Sequence, residues 1–234
     1  MSHYAATVIN AIPNIEKKTY LELGTAWGKT YCQIRAIDKT GVDILPVYEL
    51  HQDYVQSEKW ITADRCSPWQ PKNGPASNAD MESRRHVLDV KSPASHIMTT
   101  DEFFDQNKRK FDVIFIDACH EYAYVRRDFL NALKVLNPGG HIVIHDLVPK
   151  DAFHATDDPG SWNGSGYRLL AHLVQNAYPH ITHHNDFGLT VFPNAQPIDV
   201  PDAVAGITYE EFLAILPRVN MKSHEEVLAH VATL

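Results

Sequence analysis

Residues 111–146 contain two apolar runs, FDVIFI and HIVI, and each run ends at a cluster of Asp and His side chains. An amphipathic helical pattern joins the runs, so the segment predicts a strand, a helix and a second strand. Parallel strands that are buried on both faces appear as continuous apolar runs, and open α/β sheets bind ligands beyond the carboxyl ends of such strands. We therefore expect one functional site to contain Asp117, His120, His145 and Asp146.

Apolar runs alternate with helical patterns along the rest of the chain, which predicts a doubly wound, mostly parallel α/β sheet. The first strand is TYLEL at 19–23, and it is followed by the turn GTAWGKT and a helix over YCQIRAI. Shorter apolar runs follow at 41–45 and 96–98. A helix at 167–177 and an antiparallel hairpin that turns at 186–188 complete the pattern.

Several helix ends are also predicted. The helix after the Asp117 cluster should close at NPGG, because Pro and Gly stop helices. Thr100 could cap a short helix over TTDEFF. Two capping boxes, Thr208 with Glu211 and Ser223 with Glu226, predict two short helices near the end of the chain.

Two segments rich in turn residues, 66–85 and 149–166, predict lid loops. The second follows directly on the strand end that carries His145 and Asp146, where loops usually cover substrates. The composition becomes Pro-rich from residue 195. We expect a domain at 1–194 and a helical extension at 195–234, which could dock on the core, form a homo-oligomer contact or close over the site.

The 234 residues, of which 44% are hydrophobic and 21% charged, are typical of one large globular domain. The net charge of -8 and the scattered basic residues argue against a nucleic-acid partner. No apolar run reaches the roughly 18 residues of a membrane span, and no signal pattern is present, so we expect a cytoplasmic protein. Cys32, Cys66 and Cys119 are too few for a disulfide framework and predict small buried side chains.

Gly24 and Gly28 follow the first predicted strand, and a tight turn there lets backbone amides approach a ligand closely. The spacing lacks the third glycine of a dinucleotide-binding motif. Asp43 lies 21 residues after Glu22, where such folds place a ribose-binding carboxylate. These residues favour a ligand with a ribose and no pyrophosphate, although a tight turn with a solvated carboxylate would give the same pattern.

The pattern over residues 20–192 resembles the class I S-adenosylmethionine-dependent methyltransferases, whose fold is a doubly wound seven-stranded sheet. The stretches that carry the resemblance are YLELGTAWGKTYCQI, GVD, MTTDEFF, FDVIFIDACHEYAYVRRD and LNPGGHIVIHD. The last two look most like the branch of small-molecule and sugar O-methyltransferases, often grouped with macrolide-sugar methyltransferases. The resemblance implies an enzyme that transfers a methyl group to a hydroxyl of a sugar, glycoside or other small molecule.

The resemblance also implies roles for individual residues. S-adenosylmethionine would contact three groups: the turn residues beside its methionine, the acid at its ribose and the residues that flank its adenine. These are Glu22, Gly24, Thr25, Gly28, Asp43, Thr99, Thr100, Asp101 and Asp117. In the metal-dependent members, such as the catechol type, three strand-end residues hold a divalent metal and a base lies three positions after the first. Those positions correspond here to Asp117, His145 and Asp146 for the metal and to His120 for the base.

This set departs from the catechol type, because His145 replaces an oxygen ligand and His120 replaces a lysine base. Both changes preserve workable chemistry, since an imidazole can take a proton at neutral pH. Mg²⁺ prefers oxygen ligands, whereas a nitrogen from His145 would suit Mn²⁺, Fe²⁺ or Zn²⁺. The metal identity therefore stays open between Mg²⁺ and Mn²⁺.

Simpler interpretations of the cluster also exist. Asp117 could cap the following helix, and His120 could lie on that helix's surface. His145 could pair structurally with Asp146, or orient it without touching a metal. Two His with a carboxylate could also form the site of a non-haem iron hydroxylase, although such an enzyme needs no ribose-binding acid. A third alternative is a cofactor-binding protein without catalysis. Trp162 lies in SWNGSG, where relatives often show Trp-Asn-Gly-Asp, and Ser165 stands here in place of the Asp.

Overall fold

A computed structural model describes residues 4–26, 28–44, 95–158 and 163–234 of the chain. Eight strands of these residues form one sheet: β1 Thr19–Leu23, β2 Asp38–Asp43, β3 His96–Ile97, β4 Phe111–Ile116, β5 Leu136–Ile144, β6 Ile181–His183, β7 Thr190–Phe192 and β8 Met221–Lys222. The spatial order is β3-β2-β1-β4-β5-β7-β6-β8. Strands β1 to β5 are parallel, whereas β7 is antiparallel to both of its neighbours. The predicted doubly wound α/β sheet is confirmed, with one strand more than the seven expected.

The described helices are α1 Tyr4–Asn10, α2 Lys29–Gln33, α3 Thr100–Gln106, α4 Tyr122–Val135, α5 Tyr167–Gln175, α6 Tyr209–Ile215 and α7 His224–Val231. Short 3-10 turns lie at Ile15–Lys17, Asp202–Gly206 and Leu216–Arg218. None of the helices in this part of the chain is long and apolar enough to cross a membrane.

Alternation along the central strand β4 divides the core into two hydrophobic clusters. Ile114 and Ile116 face one cluster, which also contains the buried faces of α4, α5 and α6. Val113 and Phe115 face the other, which contains the buried faces of α1 and α7. Because all four side chains are essentially inaccessible to solvent, both faces of the sheet are covered, as a parallel sheet requires.

Several predicted boundaries differ from the structure. The helix expected over YCQIRAI ends at Gln33, because Ile34 and Ala36 alternate into the core in extended backbone. The helix expected to close at NPGG ends at Val135, and NPGG instead belongs to β5, where it shifts the register against β4. The cap of α3 is Thr99, not Thr100.

Other boundaries agree closely with the prediction. β1 has the predicted ends, and both capping boxes near the end of the chain are present. Helix α5 ends two residues earlier than predicted, and the hairpin of β6 and β7 is formed. The lid loop predicted at 66–85 lies outside the described residues, as do Cys66 and Trp162. The loop at 149–166 is described except for residues 159–162.

Candidate active site

The carboxyl ends of the central strands lie side by side, which brings the predicted site residues to one edge of the sheet. The amide of Asp117 donates to the carbonyl of Leu23 at the end of β1, at 2.9 Å. The amide of His145 donates to the carbonyl of Ile116 at the end of β4, at 3.1 Å. These bonds continue the parallel ladders by one residue, so the side chains that follow β4 and β5 emerge together.

His120 lies between two carboxylates at this edge. Its Nε2 is 3.4 Å from Oδ1 of Asp117 and 3.3 Å from Oδ2 of Asp146. Each of these three residues can offer one ligand atom, and the three atoms lie within 4.8 Å of one another. The arrangement can therefore exchange a proton at His120 or hold a cation.

The segment that follows the 149–158 loop fixes His120 from outside. The amide of Gly166 donates to the carbonyl of His120 at 3.0 Å. A Cβ added at Gly164, whose φ is +61°, would lie 2.5 Å from that same carbonyl oxygen. Ser165 accepts a hydrogen bond from the amide of Tyr122 at 2.8 Å and donates to Asp157. This close packing explains the small residues of the NGSG segment.

Helix α4 begins at Tyr122 with Glu121 as its N-cap residue and no side-chain cap bond. Asp117 therefore does not cap this helix, and His120 precedes the helix instead of lying on its surface. The side chain of His120 is only 15% exposed. The structure therefore contradicts two of the simpler interpretations, in which Asp117 caps the helix and His120 lies on the helix surface.

His145 has a carboxylate at each of its ring nitrogens. Its Nδ1 lies 2.8 Å from Oδ2 of Asp146 and 3.5 Å from Oδ1 of Asp117. Its Nε2 lies 3.5 Å from Oδ1 of Asp186, which comes from the loop between β6 and β7. An imidazole in this position is suited to donate from both nitrogens and to orient the carboxylates around it.

Asp146 is the most constrained carboxylate of the group. It is 5% exposed, and its φ of +60° is a left-handed conformation that non-glycine residues adopt infrequently. Its Oδ1 accepts a hydrogen bond from Nδ2 of Asn163 at 2.8 Å. Because a carboxylate only accepts, that bond fixes the Asn163 amide with its own Oδ1 directed elsewhere. This buried Oδ1 receives no hydrogen bond from any residue that the structure describes.

The mutual charges of the cluster shift two pKa values in opposite directions. Burial alone would raise the pKa of Asp117, but the positive charge of His145 and hydrogen bonds from His120 and His145 hold that pKa well below its usual range. Burial alone would lower the pKa of His145, but Asp146 and Asp117 raise that pKa well above its usual value. Without a bound cation, the cluster therefore favours an ionised Asp117 and a protonated His145.

The glycine turn after β1 lies beside this cluster. A Cβ on Gly24, whose φ is +84°, would be 2.3 Å from the carbonyl oxygen of Asp117. Gly28 has φ +70° and its amide donates to the carbonyl of Thr25. Asp43, at the end of β2, accepts a hydrogen bond from the amide of Ala26 at 2.8 Å. The predicted ribose acid thus lies beside the turn.

Glu22 and Thr25 are both buried in this region. Glu22 is 1% exposed and accepts a hydrogen bond from the hydroxyl of Tyr20. Burial raises the pKa of Glu22 to about 8, so the group is mainly protonated at neutral pH. Thr25 is 3% exposed, and its hydroxyl oxygen has no hydrogen-bond partner among the described residues.

The three residues predicted to flank adenine lie at the start of α3. Thr99 forms a capping box with Glu102. Thr100 hydrogen-bonds to the buried Asp128 of α4, and burial raises the pKa of Asp128 to about 7. Asp101 pairs with Arg127 at 2.6 Å. The contacts of Thr100 and Asp101 hold the start of α3 against α4.

Two site residues, Asp186 and Asn163, were not predicted from the sequence. Asp186 was assigned only to a hairpin turn, and it is 4% exposed beside His145. Asn163 lies in the SWNGSG segment, where the comparison with relatives concerns Trp162 and Ser165 and assigns no role to Asn163. Asn and Asp are common in turns for local reasons, so the sequence holds no signal that separates these two from ordinary turn residues.

A family model described as "Methyltransferase domain" matches residues 21–147, which is more than half of the chain. The chain therefore belongs to this methyltransferase family, and the predicted membership in the methyltransferases is confirmed. No curated protein sequence matches the chain at the significance required.

Two similar solved structures are O-methyltransferases. The chain is 14% identical to the O-methyltransferase TomG from Streptomyces achromogenes, solved in complex with SAM, over 81% of this chain and 77% of that one, with a TM-score of 0.43. It is 15% identical to an O-methyltransferase from Bacillus cereus, solved in complex with SAH, over 81% of this chain and 77% of that one, with a TM-score of 0.41. Both TM-scores lie below 0.5, and the family assignment rests on the family model.

Proposed function

We propose that the protein is an S-adenosylmethionine-dependent O-methyltransferase that acts on a hydroxyl of a sugar, glycoside or other small molecule with the help of a divalent metal. The observation that carries the proposal is the position of His120 between Asp117 and Asp146, at the sheet edge that also holds the glycine turn and Asp43. Family membership supports methyl transfer.

The cofactor would lie along the ends of β1, β2 and β3. Asp43 is the carboxylate suited to two ribose hydroxyls, because acids at the end of the second strand bind ribose in related folds. Ile44 follows it and is 46% exposed, and Ile97, whose backbone pairs with Asp43, is 52% exposed. These two side chains offer an apolar surface to a flat base at this edge.

The donor set fits a divalent cation. Asp117 and Asp146 offer carboxylate oxygens that lie within 4.8 Å of each other. The sequence assigned Asp117, His145 and Asp146 to the metal. The contacts of His145 with Asp146 and Asp186 favour an orienting role for His145, since residues that hydrogen-bond to metal ligands fix their geometry.

Methyl transfer to oxygen is an in-line displacement, in which the new carbon–oxygen bond forms as the carbon–sulfur bond breaks. The cofactor supplies a methyl group on a positively charged sulfur, and a divalent metal would lower the pKa of the acceptor hydroxyl. His120 takes the hydroxyl proton at Nε2. The carboxylates of Asp117 and Asp146, at 3.4 and 3.3 Å, stabilise the imidazolium that forms. Positioning both reactants at one edge accounts for much of the expected acceleration.

Calorimetric titration of the chelator-treated protein with S-adenosylmethionine, with and without Mg²⁺ or Mn²⁺, tests the proposal. We expect micromolar binding, followed by metal-dependent methylation in a screen of hydroxylated acceptors. Asp117→Ala should abolish metal-dependent turnover and leave cofactor affinity nearly unchanged. No cofactor binding under any metal condition would overturn the proposal, and equal loss of both properties in Asp117→Ala would overturn the role of Asp117.

A further inference from the structure

Phe187, in the loop between β6 and β7, has a backbone conformation that suits its residue type poorly. Its φ is +46°, and Gly188 next to it has φ +78°. Left-handed backbone is rare for bulky residues because it is sterically unfavourable for L-amino acids, whereas Asn and Gly tolerate it best. The loop therefore places an aromatic residue at a position that favours Asn.

Contacts of the backbone explain the left-handed conformation of Phe187, but they do not explain why the residue there is aromatic. The carbonyl of Phe187 accepts a hydrogen bond from the amide of Val148 at 3.0 Å, and the amide of Leu189 donates to Asp186 at 2.9 Å. A Cβ on Gly188 would lie 2.4 Å from the Val148 amide nitrogen. Any residue at position 187 would be held in this shape by its neighbours.

The Phe187 side chain adds little to the fold. It is 39% exposed, and it belongs to neither hydrophobic cluster among the described residues. Residues in unfavourable backbone conformations concentrate at functional sites, where another requirement outweighs the local preference. The place of this residue next to the candidate active site is therefore informative.

Phe187 lies next to the Asp and His residues of the candidate active site through two of its contacts. Its neighbour Asp186 contacts His145, and its hydrogen-bond partner Val148 lies two residues after Asp146. A second exposed aromatic residue, Phe153, is 60% exposed on the loop that follows β5. Binding sites for small molecules combine such apolar and aromatic side chains with a few polar groups.

From these observations we infer that Phe187 is a specificity residue for the acceptor, and that its ring packs against the apolar face of a ring that carries the reactive hydroxyl. This inference rests on the proposed function and narrows the acceptor to hydroxylated compounds that contain a ring. The acceptor's ring face contacts Phe187 while its hydroxyl reaches His120. An aromatic ring and the C–H face of a sugar share this chemistry, since both present apolar carbon to an aromatic side chain.

Phe187→Asn removes the ring and suits the left-handed backbone, and Phe187→Tyr keeps the ring. Denaturant unfolding, titration with S-adenosylmethionine and titration of the SAH-saturated, Mg²⁺-supplemented protein with three hydroxylated compounds give separate readouts. Two of these are ring compounds, catechol and methyl β-glucopyranoside, and the third is ethane-1,2-diol, which has no ring face. We expect Phe187→Asn to lower the unfolding equilibrium constant by up to about 5- to 30-fold and to leave cofactor affinity within twofold.

In the same titrations, the wild type should bind at least one of the two ring compounds more tightly than ethane-1,2-diol. Phe187→Asn should lose at least tenfold in that affinity, and Phe187→Tyr should retain it within threefold. The ring compound that binds more tightly then identifies an aromatic or a sugar acceptor. The inference is overturned if Phe187→Asn is less stable than the wild type, if its affinity for the ring compounds is unchanged, or if the wild type binds neither ring compound. Loss of cofactor binding in the wild type would instead contradict the proposed function.

Discussion

At the scale of single residues, the geometry around His120 predicts that this side chain acts as the base and is not needed to bind the metal or the cofactor. His120→Gln should lower turnover by about 10²- to 10⁴-fold, the usual contribution of a positioned base. It should also abolish the acidic limb of the pH–rate profile, because that limb reports protonation of the base. Metal and cofactor affinities, measured by calorimetry, should stay within a few fold of the wild type.

His154→Gln is a matched control for His120→Gln, because His154 lies on the loop that follows β5 and also pairs with an aspartate, the exposed Asp151, at 2.6 Å. Its rate and pH profile should match those of the wild type. If His120→Gln instead loses metal affinity with an unchanged pH profile, His120 is a metal ligand and another group takes the proton.

The buried carboxyl of Glu22 makes a prediction about stability. Burial raises its pKa from 4.5 to about 8 in the folded protein, so the folded state keeps a proton that the unfolded state loses. The free energy of unfolding should therefore fall as pH rises from about 5 to 8. Glu22→Gln, which is neutral at every pH, should be more stable than the wild type by about 3 kcal/mol at pH 7.

Denaturant unfolding of Glu22→Gln between pH 5 and 9 measures this difference directly. Glu16→Gln is the control, because Glu16 is exposed at the start of a 3-10 turn and its substitution should leave the pH dependence unchanged. A stability difference between Glu22→Gln and the wild type that does not grow with pH would contradict a buried, protonated Glu22.

Site residues could be predicted from the sequence where they directly follow the end of a strand. Asp117, His120, His145 and Asp146 meet because the carboxyl ends of parallel strands share an edge. Asp186 could not be predicted, because its approach to His145 depends on how the β6–β7 loop folds back against β5. That approach is a long-range contact, and no local pattern in the sequence encodes it.

At the scale of secondary-structure elements, the contact between the ends of β1 and β4 depends on Gly24. A Cβ there would lie 2.3 Å from the carbonyl oxygen of Asp117, and φ is +84°. Gly24→Ala should therefore lower the free energy of unfolding by about 3 kcal/mol, through overpacking and backbone strain. Gly206→Ala is the matched control, because nothing lies within 4 Å of its added Cβ. Equal stabilities of the two variants in denaturant unfolding would contradict the close approach.

A second element-scale prediction concerns the attachment of α1. The ring of Tyr4 lies 4.5 Å from the rings of both His183 on β6 and His224 on α7. His183 is fully buried, and its Nδ1 accepts a hydrogen bond from the amide of Asn185. Its Nε2 therefore carries the proton and donates to Nδ1 of His224 at 3.2 Å. Both imidazoles must stay neutral for this contact to persist.

Burial lowers the pKa of His183, and nearby His224 and His184 lower it further against the opposing effects of Asp186 and Glu225. The unfolded state therefore binds the proton more readily, and this contact loses stability as pH falls through the ordinary histidine pKa near 6.5. Hydrogen exchange of the α1 amides, corrected for intrinsic rates, should be faster at pH 5.5 than at pH 7.5. His224→Asn should reduce that difference. An equal pH effect in both proteins would contradict the contact.

Element boundaries were predictable where a local rule dominates, and missed where tertiary contacts decide. The Thr208 and Ser223 capping boxes are local, and both helices begin where they indicate. The NPGG segment carries a helix-stop signal, yet the structure uses it as a bulge in β5, where a Cβ on Gly140 would meet the carbonyl oxygen of Asp112. β8 has only two residues, and it pairs with β6 across the intervening β7 and α6, so the pairing leaves no pattern in the sequence.

At the scale of the whole molecule, the last forty residues contribute to both hydrophobic clusters. Phe212 is fully buried and its ring lies 5.2 Å from that of Tyr167. Val227 and Val231 are buried in the cluster on the other face of the sheet. β8 extends the sheet beside β6. The segment therefore completes both layers, although the sequence marks it only by its Pro-rich composition and two capping boxes.

Removal of residues 195–234 should accordingly prevent stable folding. The buried apolar side chains of this segment are Ala195, Val200, Val204, Phe212, Ile215, Val219, Val227 and Val231. At about 1.5–3 kcal/mol for each side chain larger than Ala, their loss would remove about 10–20 kcal/mol, which matches or exceeds the roughly 5–15 kcal/mol by which typical domains are stable. Circular dichroism and denaturant unfolding of the 1–194 fragment should show no cooperative transition, whereas Phe212→Leu in the full chain should keep a cooperative transition at lower denaturant. A cooperative transition in the fragment would show that the methyltransferase domain ends near residue 194, and that the helices beyond it are an accessory that docks on a fold already complete.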